Sequence, residues 1–257
     1  MNQNERRQYL IKELIKENAD YRELKIPEDV FAQRQTLRGL MNIRMAAPVT
    51  DEFKQIQNEY LQETSRERGV VTLEDIEEKE PGIYLWQGDI TRLTTGAIVN
   101  AANSGMTGCY SACHNCIDNY IHTYAGIQLR NYCQFLMDKQ GHPEPAGQAK
   151  ITPGFNLPAT YVIHTVGPVV SGDVTTEDER LLRSCYQSCL ETATANNVDS
   201  IAFCCISTGV FMFPQRRAAE IAVETVRRYL VGNEIKVVFN VFKDEDLAIY
   251  EELLGKR

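Results

Sequence analysis

Apolar residues recur at helical spacing through roughly the first 75 residues. Leu10, Leu14 and Ile15 share one face; Val30, Phe31, Leu37, Leu40 and Met41 share another, after Pro27, a residue suited to a first helical turn. "MAAPVTDEF" breaks the pattern at Pro48. Thr50 then stands as an N-cap, with Asp51 and Glu52 suited to the positive end of a helix dipole, and Phe53, Ile56, Tyr60 and Leu61 mark a third face. Near Pro81 the texture changes to short β-rich runs: "GIYLWQGD", "GAIVNAAN", "TYVIHTVGP", "SIAFCCIST" and "IKVVFNVF". Helical patterns from Thr176 to Asn196 and from Pro214 to Leu230 separate several of them, which predicts an α/β layer architecture. The boundary falls near residues 70 to 80, giving a helical extension over 1–75 and an α/β unit over 76–257. The extension carries Leu10, Leu14, Phe31, Leu40, Phe53 and Tyr60, apolar surface that is expected to pack on the α/β unit, with some of it buried among the helices themselves.

Charge narrows the partners. The formal net charge is −8, with 13 basic and 17 acidic residues up to Glu80 and 14 and 18 after it, so neither part carries a basic tract. That excludes a non-specific grip on DNA or RNA but leaves room for an anion held by backbone N–H groups. No apolar run approaches the ~18 residues of a membrane span, and the charged start "MNQNERRQYLIKELIKEN" is unlike a secretory signal. A reducing, cytoplasmic setting is therefore expected. There, eight cysteines point to metal binding, catalysis or burial in preference to disulfides.

Three loops leave the carboxyl ends of predicted strands, where ligands of open α/β sheets gather. "WQGDITRL" has Gly88 ending a strand and Asp89 placed to cap a helix. "VNAANSGMTGC" carries Asn100 and Asn103, whose amides suit ribose hydroxyls or, equally, turns. "ISTGVFMFP" sends Ser207, Thr208 and Gly209 out of an apolar strand. Each alone reads as an ordinary turn; three together are harder to dismiss.

The densest chemistry lies in "GCYSACHNCIDNYIH", Gly108 to His122, with three cysteines and two histidines in fifteen residues. His114 and Cys116 are one residue apart and would sit about 200° apart on a helix, so to share a metal they need a loop. Cys109 can fold back to join them, making a Cys₂His set with a fourth tetrahedral position open. Cys113 is the competitor: with it the site closes as structural Cys₃His, and buried thiols without metal are a third reading. Asp118 and His122 form an i, i+4 pair, more often a packing contact than a catalytic couple. His164 reads as a buried strand residue, and His142 as a loop residue without a signal. Cys133, Cys185, Cys189, Cys204 and Cys205 read as apolar filler.

"GDITRLTTGAIVNAANSGMTGC" and "ISTGVFMFP" resemble the ADP-ribose-binding macrodomain. Together with the Cys/His segment and the extension's "RGLMNIR", they resemble its zinc-containing microbial branch over nearly the whole chain. The resemblance implies a three-layer α/β/α sandwich with a mixed central sheet behind a helical extension. It implies one zinc on Cys109, His114 and Cys116, with Cys113 at a variable position. It implies an ADP-ribose site of Asp89, Ile90, Asn100, Asn103, Ser207, Thr208, Gly209, Val210 and Phe211. Within that site Asp89 faces the adenine amino group, or remains a helix cap, and Asn103 faces the distal ribose. Asn103, Cys109, His114 and Cys116 form the implied catalytic group, with His122 close to the ligand.

The activity implied is removal of mono-ADP-ribose from protein side chains, the zinc activating a water or polarising a ribose or ester oxygen. A lipoylated carrier protein is the modified partner implied. A non-catalytic ADP-ribose-binding module with structural zinc and an O-acetyl-ADP-ribose deacetylase are the alternatives. A monomeric state stays an open expectation.

Overall fold

The computed structural model describes residues 1–255. Three helices open the chain. α1 (Gln3–Glu17) begins in a capping box between Asn2 and Glu5. α2 (Val30–Ile43) begins at Asp29, whose carboxylate accepts from the Ala32 N–H. Pro27 therefore lies ahead of the cap and not in the first turn, because the Asp29 carboxylate supplies the stronger start; the Pro27 carbonyl instead accepts from Gln33 Nε2 at 2.7 Å. α3 (Asp51–Arg68) starts at Thr50 as its composition predicts, with Thr50 Oγ1 accepting from the Phe53 N–H at 3.1 Å.

These helices bury Leu10, Ile11, Leu14, Leu37, Leu40, Met41, Phe53, Ile56, Tyr60 and Leu61 mainly against one another; Ile127 is the one buried residue from beyond them in that cluster among the described residues. Phe31, in the first turn of α2, is 68% exposed and takes no part. The extension thus packs on the α/β unit as expected, with its apolar faces buried mostly among the helices themselves and the contacts across largely polar. Gln57 Oε1 accepts from the Ile127 N–H, Asn42 Nδ2 donates to Thr123 Oγ1, and Asn58 Oδ1 accepts from both Gln128 and Asn156.

A seven-stranded sheet follows. In chain order its elements are β1 (Glu78–Glu80), β2 (Ile83–Gln87), β3 (Ala97–Ala101), α4 (Ile117–Ala125), α5 (Ile127–Gln140), β4 (Ala149–Pro153), β5 (Tyr161–Thr165), α6 (Thr176–Ala195), β6 (Ser200–Phe203), α7 (Gln215–Leu230), β7 (Lys236–Val241) and α8 (Asp244–Gly255). The strand order is β1-β2-β7-β6-β3-β5-β4, with five parallel strands between antiparallel edges β1 and β4. Both edges escape the hydrophobic pattern, since "EKE" and "AKITP" each have a solvent side. The central strands are covered on both faces and read as apolar runs. On β5 the pleat turns His164 toward Cys133 of α5, while Cys185 of α6 reaches the Val166 carbonyl from the other face. α4 and α5 form one outer layer, α6 to α8 the other, and α1 to α3 stack outside α4. Because the five central strands are parallel, the loops that follow them emerge at one end of the sheet. Among the described residues no helix is long and apolar enough to cross a membrane.

One buried side chain joins extension, loop and sheet layer. Arg130 of α5 is 5% exposed. Its Nε donates to the Thr107 carbonyl at 2.7 Å, and its Nη1 to the carbonyls of Met41 (3.1 Å), Asn42 (2.7 Å) and Arg44. Hydrogen bonds from a charged donor are each worth roughly 1.5–3 kcal/mol, and unpaired buried carbonyls cost more than paired ones. Arg130→Met fills similar space but donates nothing. It is expected to lower unfolding free energy by about 3 kcal/mol in urea titration; a loss within about 0.5 kcal/mol would mean that these carbonyls find other donors.

Candidate metal centre and ligand cleft

The segment between β3 and α4 is irregular, as the spacing of His114 and Cys116 requires. Cys116 is the N-cap of α4, its Sγ accepting from the Asn119 N–H at 3.4 Å. Cys109 Sγ lies 3.5 Å from His114 Nδ1, and the ligand atoms of Cys109, His114 and Cys116 all lie within 4.8 Å of one another. Zinc bonds of about 2.3 Å to sulfur and 2.0 Å to nitrogen put tetrahedral neighbours about 3.5 Å apart, so this donor set fits zinc with small adjustments. Burial pushes the Cys116 thiol up to about 12, with Cys109 and Asp118 nearby acting in the same sense against the Asn119 N–H. A Cys116 thiolate there needs a compensating positive charge.

Cys113 is directed elsewhere. It has a left-handed backbone (φ +54°), its N–H donates to Asn42 Oδ1 at 3.0 Å, and its Sγ donates to the Gln35 carbonyl of α2 at 3.3 Å. Gly108, just before Cys109, has φ +88°, and a Cβ there would lie 2.8 Å from the His122 ring.

Behind this loop sits a carboxylate that the sequence reading treats as one half of a packing pair. Asp118 is 5% exposed and accepts from Asn100 Nδ2 at 2.8 Å and from Asn103 Nδ2 at 3.3 Å. Asn103 Nδ2 also donates to the Gly108 carbonyl at 3.1 Å, and Asn103 Oδ1 accepts from the Gly105 N–H at 2.9 Å. Both amide protons of Asn103 are engaged, so what it can turn to solvent is a lone pair of Oδ1. Asn100 is fully buried, its Nδ2 shared between Asp118 and His164 Nδ1 (3.1 Å); it supports Asp118 and does not face solvent. His122 is 5% exposed, behind Gly108, not in the cleft, and its Nε2 is 3.5 Å from Asp118 Oδ1. A cavity of about 10 Å³, the size of one water molecule, lies beside His122 and Arg130.

The other candidates line the same end of the sheet. Asp89 is half-buried and acts as the cap that one of the two sequence readings expects. Its Oδ1 accepts from the Thr91 N–H (3.0 Å) and hydroxyl (2.6 Å), capping a short 3₁₀ turn, while Oδ2 pairs with Arg68 at the end of α3. The Arg68 guanidinium lies 3.7 Å from the centroid of the Tyr124 ring. The Ile90 side chain is buried, so only its main chain can meet a ligand.

The β6 loop is closed by the Phe213 N–H to the Ser207 carbonyl and by the Met212 N–H to the Gly209 carbonyl. Thr208 Oγ1 donates back to the Cys205 carbonyl at 3.0 Å, so its hydroxyl serves the turn. Among the described residues no hydrogen bond leaves the amides of Gly209, Val210 or Phe211, and Gly209 and Val210 are exposed. Successive free amides of this kind form an anion-binding nest.

Two neighbours were missed in the sequence. The loop after β5 packs so closely that a Cβ on Gly167 would lie 2.0 Å from Ser207 Oγ, a buried hydroxyl without a partner among the described residues. Phe242 is 77% exposed just past β7, with its carbonyl accepting from Gln87 beside the Asp89 loop. The signal for both was position after a strand, present in "TVGP" and "NVFKD" but without a polar motif.

A protein-ADP-ribose hydrolase of Treponema medium is 53% identical over 99% of this chain and 100% of its own length. The Macro domain model matches residues 99–222. The chain belongs to the macrodomain family. A protein-ADP-ribose hydrolase of Staphylococcus aureus (strain MSSA476) is 48% identical over 98% of this chain and 96% of its own. Among solved structures, the Trypanosoma brucei macrodomain in complex with ADP-ribose superposes with a TM-score of 0.67 at 29% identity, covering 89% of this chain and 97% of that one. The Oceanobacillus iheyensis macrodomain with ADP gives 0.63 at 36% identity, covering 70% and 94%. The latter covers less of this chain.

This macrodomain carries two buried imidazoles, His122 and His164, which burial holds neutral: His164 is pushed down to about 3, and His122 well below 6.5 with His164 and Arg130 adding to the effect. In the unfolded chain each takes a proton below about 6.5. Unfolding therefore binds protons as pH falls, and stability drops. Burial raises Asp118 to about 6, so below that pH the folded state takes its proton first and opposes the loss. The two imidazoles outweigh Asp118, and carboxylates such as Glu179 whose pKa the fold lowers add to the loss toward the acid end, so stability falls by roughly 1 kcal/mol per pH unit from about 6 toward 4. Urea unfolding at a series of pH values checks this; stability flat or rising toward pH 4 would contradict it.

Proposed function

We propose that this macrodomain removes mono-ADP-ribose from modified protein side chains, with one zinc held by Cys109, His114 and Cys116. The observation that carries the reading is the bond from Asn103 Nδ2 to the Gly108 carbonyl. It ties the residue suited to the distal ribose to the residue immediately before the first metal ligand. Relatives at 53% and 48% identity that are named protein-ADP-ribose hydrolases support the substrate class.

The residues divide the ligand between them. The free amides of Gly209, Val210 and Phe211 hold the diphosphate. Asp89 accepts from the adenine amino group beside Phe242, whose exposed ring offers a stacking face. Asn103 Oδ1 accepts from a distal-ribose hydroxyl, which fixes the anomeric carbon near the Cys/His loop. Held so, the scissile bond gains from orientation before any chemistry. When bound, zinc supplies a Lewis acid for a water or for a ribose or ester oxygen. The protein carrying the modification, a lipoylated carrier in the reading from resemblance, approaches from the open side.

Gly209→Glu should act on the ligand and not on the fold, because a Cβ at Gly209 meets nothing within 4 Å and its φ is not in the left-handed region. Added bulk and negative charge at the nest are expected to weaken ADP-ribose at least tenfold by calorimetry at an unchanged melting temperature. Undiminished affinity would remove the β6 loop from the diphosphate site.

His114→Ala, checked for folding by circular dichroism, is expected to abolish release of ADP-ribose from a mono-ADP-ribosylated protein. Free ADP-ribose should still bind, and a chelator on the unaltered chain should have the same effect. Cys113→Ser should keep zinc and turnover. A folded, zinc-free His114→Ala that still turns over would leave the zinc without a catalytic role. Release of acetate from O-acetyl-ADP-ribose with an inert protein substrate would favour the small-molecule reaction.

A further inference from the structure

The function proposed above leaves the extension's "RGLMNIR" stretch, Arg38 to Arg44, without a task. Its Arg38 and Asn42 reach the Cys/His loop, while Arg44 turns away to Glu17. Arg38 Nη2 donates to the His114 carbonyl at 2.7 Å and to Asn119 Oδ1 at 2.9 Å, with Nε adding a 3.3 Å bond to the same oxygen. Asn119 Nδ2 in turn donates to the Ser111 carbonyl at 2.9 Å, so one guanidinium fixes the loop at two points. The same guanidinium lies 4.2 Å from the centroid of the Tyr120 ring on α4. Asn42 Oδ1 accepts from the Cys113 N–H, and Gly39 faces Cys113 Sγ and Ala112 Cβ at 3.6 and 3.7 Å from where a Cβ would stand. The left-handed Cys113 is therefore pinned from one side, and the turn it makes swings His114 back toward Cys109.

We propose that Arg38 is a positioning residue for the metal centre, and that α2 is the template on which Cys109 to Cys116 is wound. This rests on the reading of Cys109, His114 and Cys116 as metal ligands. An isolated loop would have to order three ligands at the moment of binding, whereas this one has the main chain of His114 and Cys113 held in advance. A planar guanidinium can bridge a carbonyl and an amide oxygen while stacking on a ring, which a lysine ammonium cannot do. Arg38 touches neither the trio's ligand atoms nor the cleft residues named above, so its loss should reach turnover through ligand geometry alone.

The test uses the full chain loaded with cobalt(II), whose visible bands report ligand geometry, with Arg38→Ala, Arg38→Lys and a control, Arg6→Ala. Arg6 pairs with Glu59 within the extension, away from the loop. Arg38→Ala is expected to weaken cobalt and zinc at least tenfold in competition with a chromophoric chelator and to shift or broaden the cobalt bands. Turnover should fall in kcat, and ADP-ribose affinity should stay within about twofold. Arg38→Lys should fall between, and Arg6→Ala should leave metal affinity and spectrum unchanged. Hydrogen exchange at 109–116 in the metal-free chain should quicken in Arg38→Ala with the central strands still protected, which tests the template without metal.

Unaltered spectrum and metal affinity in Arg38→Ala overturn the proposal, as does an Arg6→Ala loss of the same size, which would mark a general effect of loosening the extension. If Arg38→Ala fails to fold, Arg38→Lys carries the same criteria. An unaltered chain that takes up no cobalt removes the metal reading and this proposal with it; exchange at 109–116 then shows whether Arg38 orders the loop at all.

Discussion

The loop that brings Cys109, His114 and Cys116 together has no helix or strand between Ala101 and Ile117, so its carbonyls need donors from elsewhere. Here two arginines answer part of that need, with Asn103 and Asn119 donating to the carbonyls of Gly108 and Ser111. Arg130, from beneath, takes the carbonyls of Thr107 and Cys109 together with those of Met41, Asn42 and Arg44 at the end of α2. Arg38, from above, takes the carbonyl of His114. Charged donors are strong enough to hold irregular backbone in a buried setting, where an unpaired carbonyl is costly. The result is mutual dependence: the extension's helix end is shaped by an arginine of α5, and the loop after β3 is shaped by an arginine of α2. The extension is in this sense part of the site and not an appendage to it.

The same economy of charge appears at the other end of the cleft. A chain with net charge −8 is a poor general attractor of phosphates. Binding by amides needs no net charge, because the N–H dipoles of a tight turn are fixed in direction before the anion arrives. Gly209, Val210 and Phe211 provide such dipoles. The acidic residue in the cleft, Asp89, has one oxygen tied to Thr91 and the other paired with Arg68, so its field is largely neutralised where a diphosphate would lie. Arg68 also comes from the extension, which places one arginine of α3 beside Asp89 and one of α2 beside the Cys/His loop.

What could be read from the sequence follows from what periodicity reports. The five central strands, the cap at Thr50 and the loop character of Cys109 to Cys116 all leave local marks: an apolar run, a hydroxyl before two acids, two ligands one residue apart. Edge strands β1 and β4 leave none, since half of each faces water. Phe31 shows the opposite error, an apolar residue at helical spacing that nevertheless sits 68% exposed in a first turn. The polar docking of the extension was invisible for another reason. Gln57, Asn42 and Arg38 find partners 70 to 81 positions along the chain, and a hydrogen bond of that reach has no signature in either segment. The role of Asp118 was hidden likewise: its i, i+4 neighbour His122 drew the eye, yet its hydrogen bonds run to Asn100 and Asn103.

Asp118 matters because it decides which way an amide points. Asparagine presents an oxygen and a nitrogen of almost the same size, and a ribose hydroxyl could meet either. With the carboxylate and the Gly108 carbonyl both accepting from Asn103 Nδ2, a flip would set Oδ1 against two acceptors and the nitrogen against the Gly105 N–H. That arrangement loses three hydrogen bonds and gains three repulsions. The orientation is therefore held without any ligand, and in the proposed reaction the ribose meets an acceptor. Asn100 does for Asp118 what Asp118 does for Asn103, donating from the buried side at 2.8 Å. Burial alone would favour the protonated acid, and these donors pull it back toward the carboxylate that the alignment needs. A chain of four side chains from His164 through Asn100 and Asp118 to Asn103 thus carries order from the centre of the sheet to the edge of the cleft, and it ends on the residue whose backbone neighbours lead directly into the Cys/His loop.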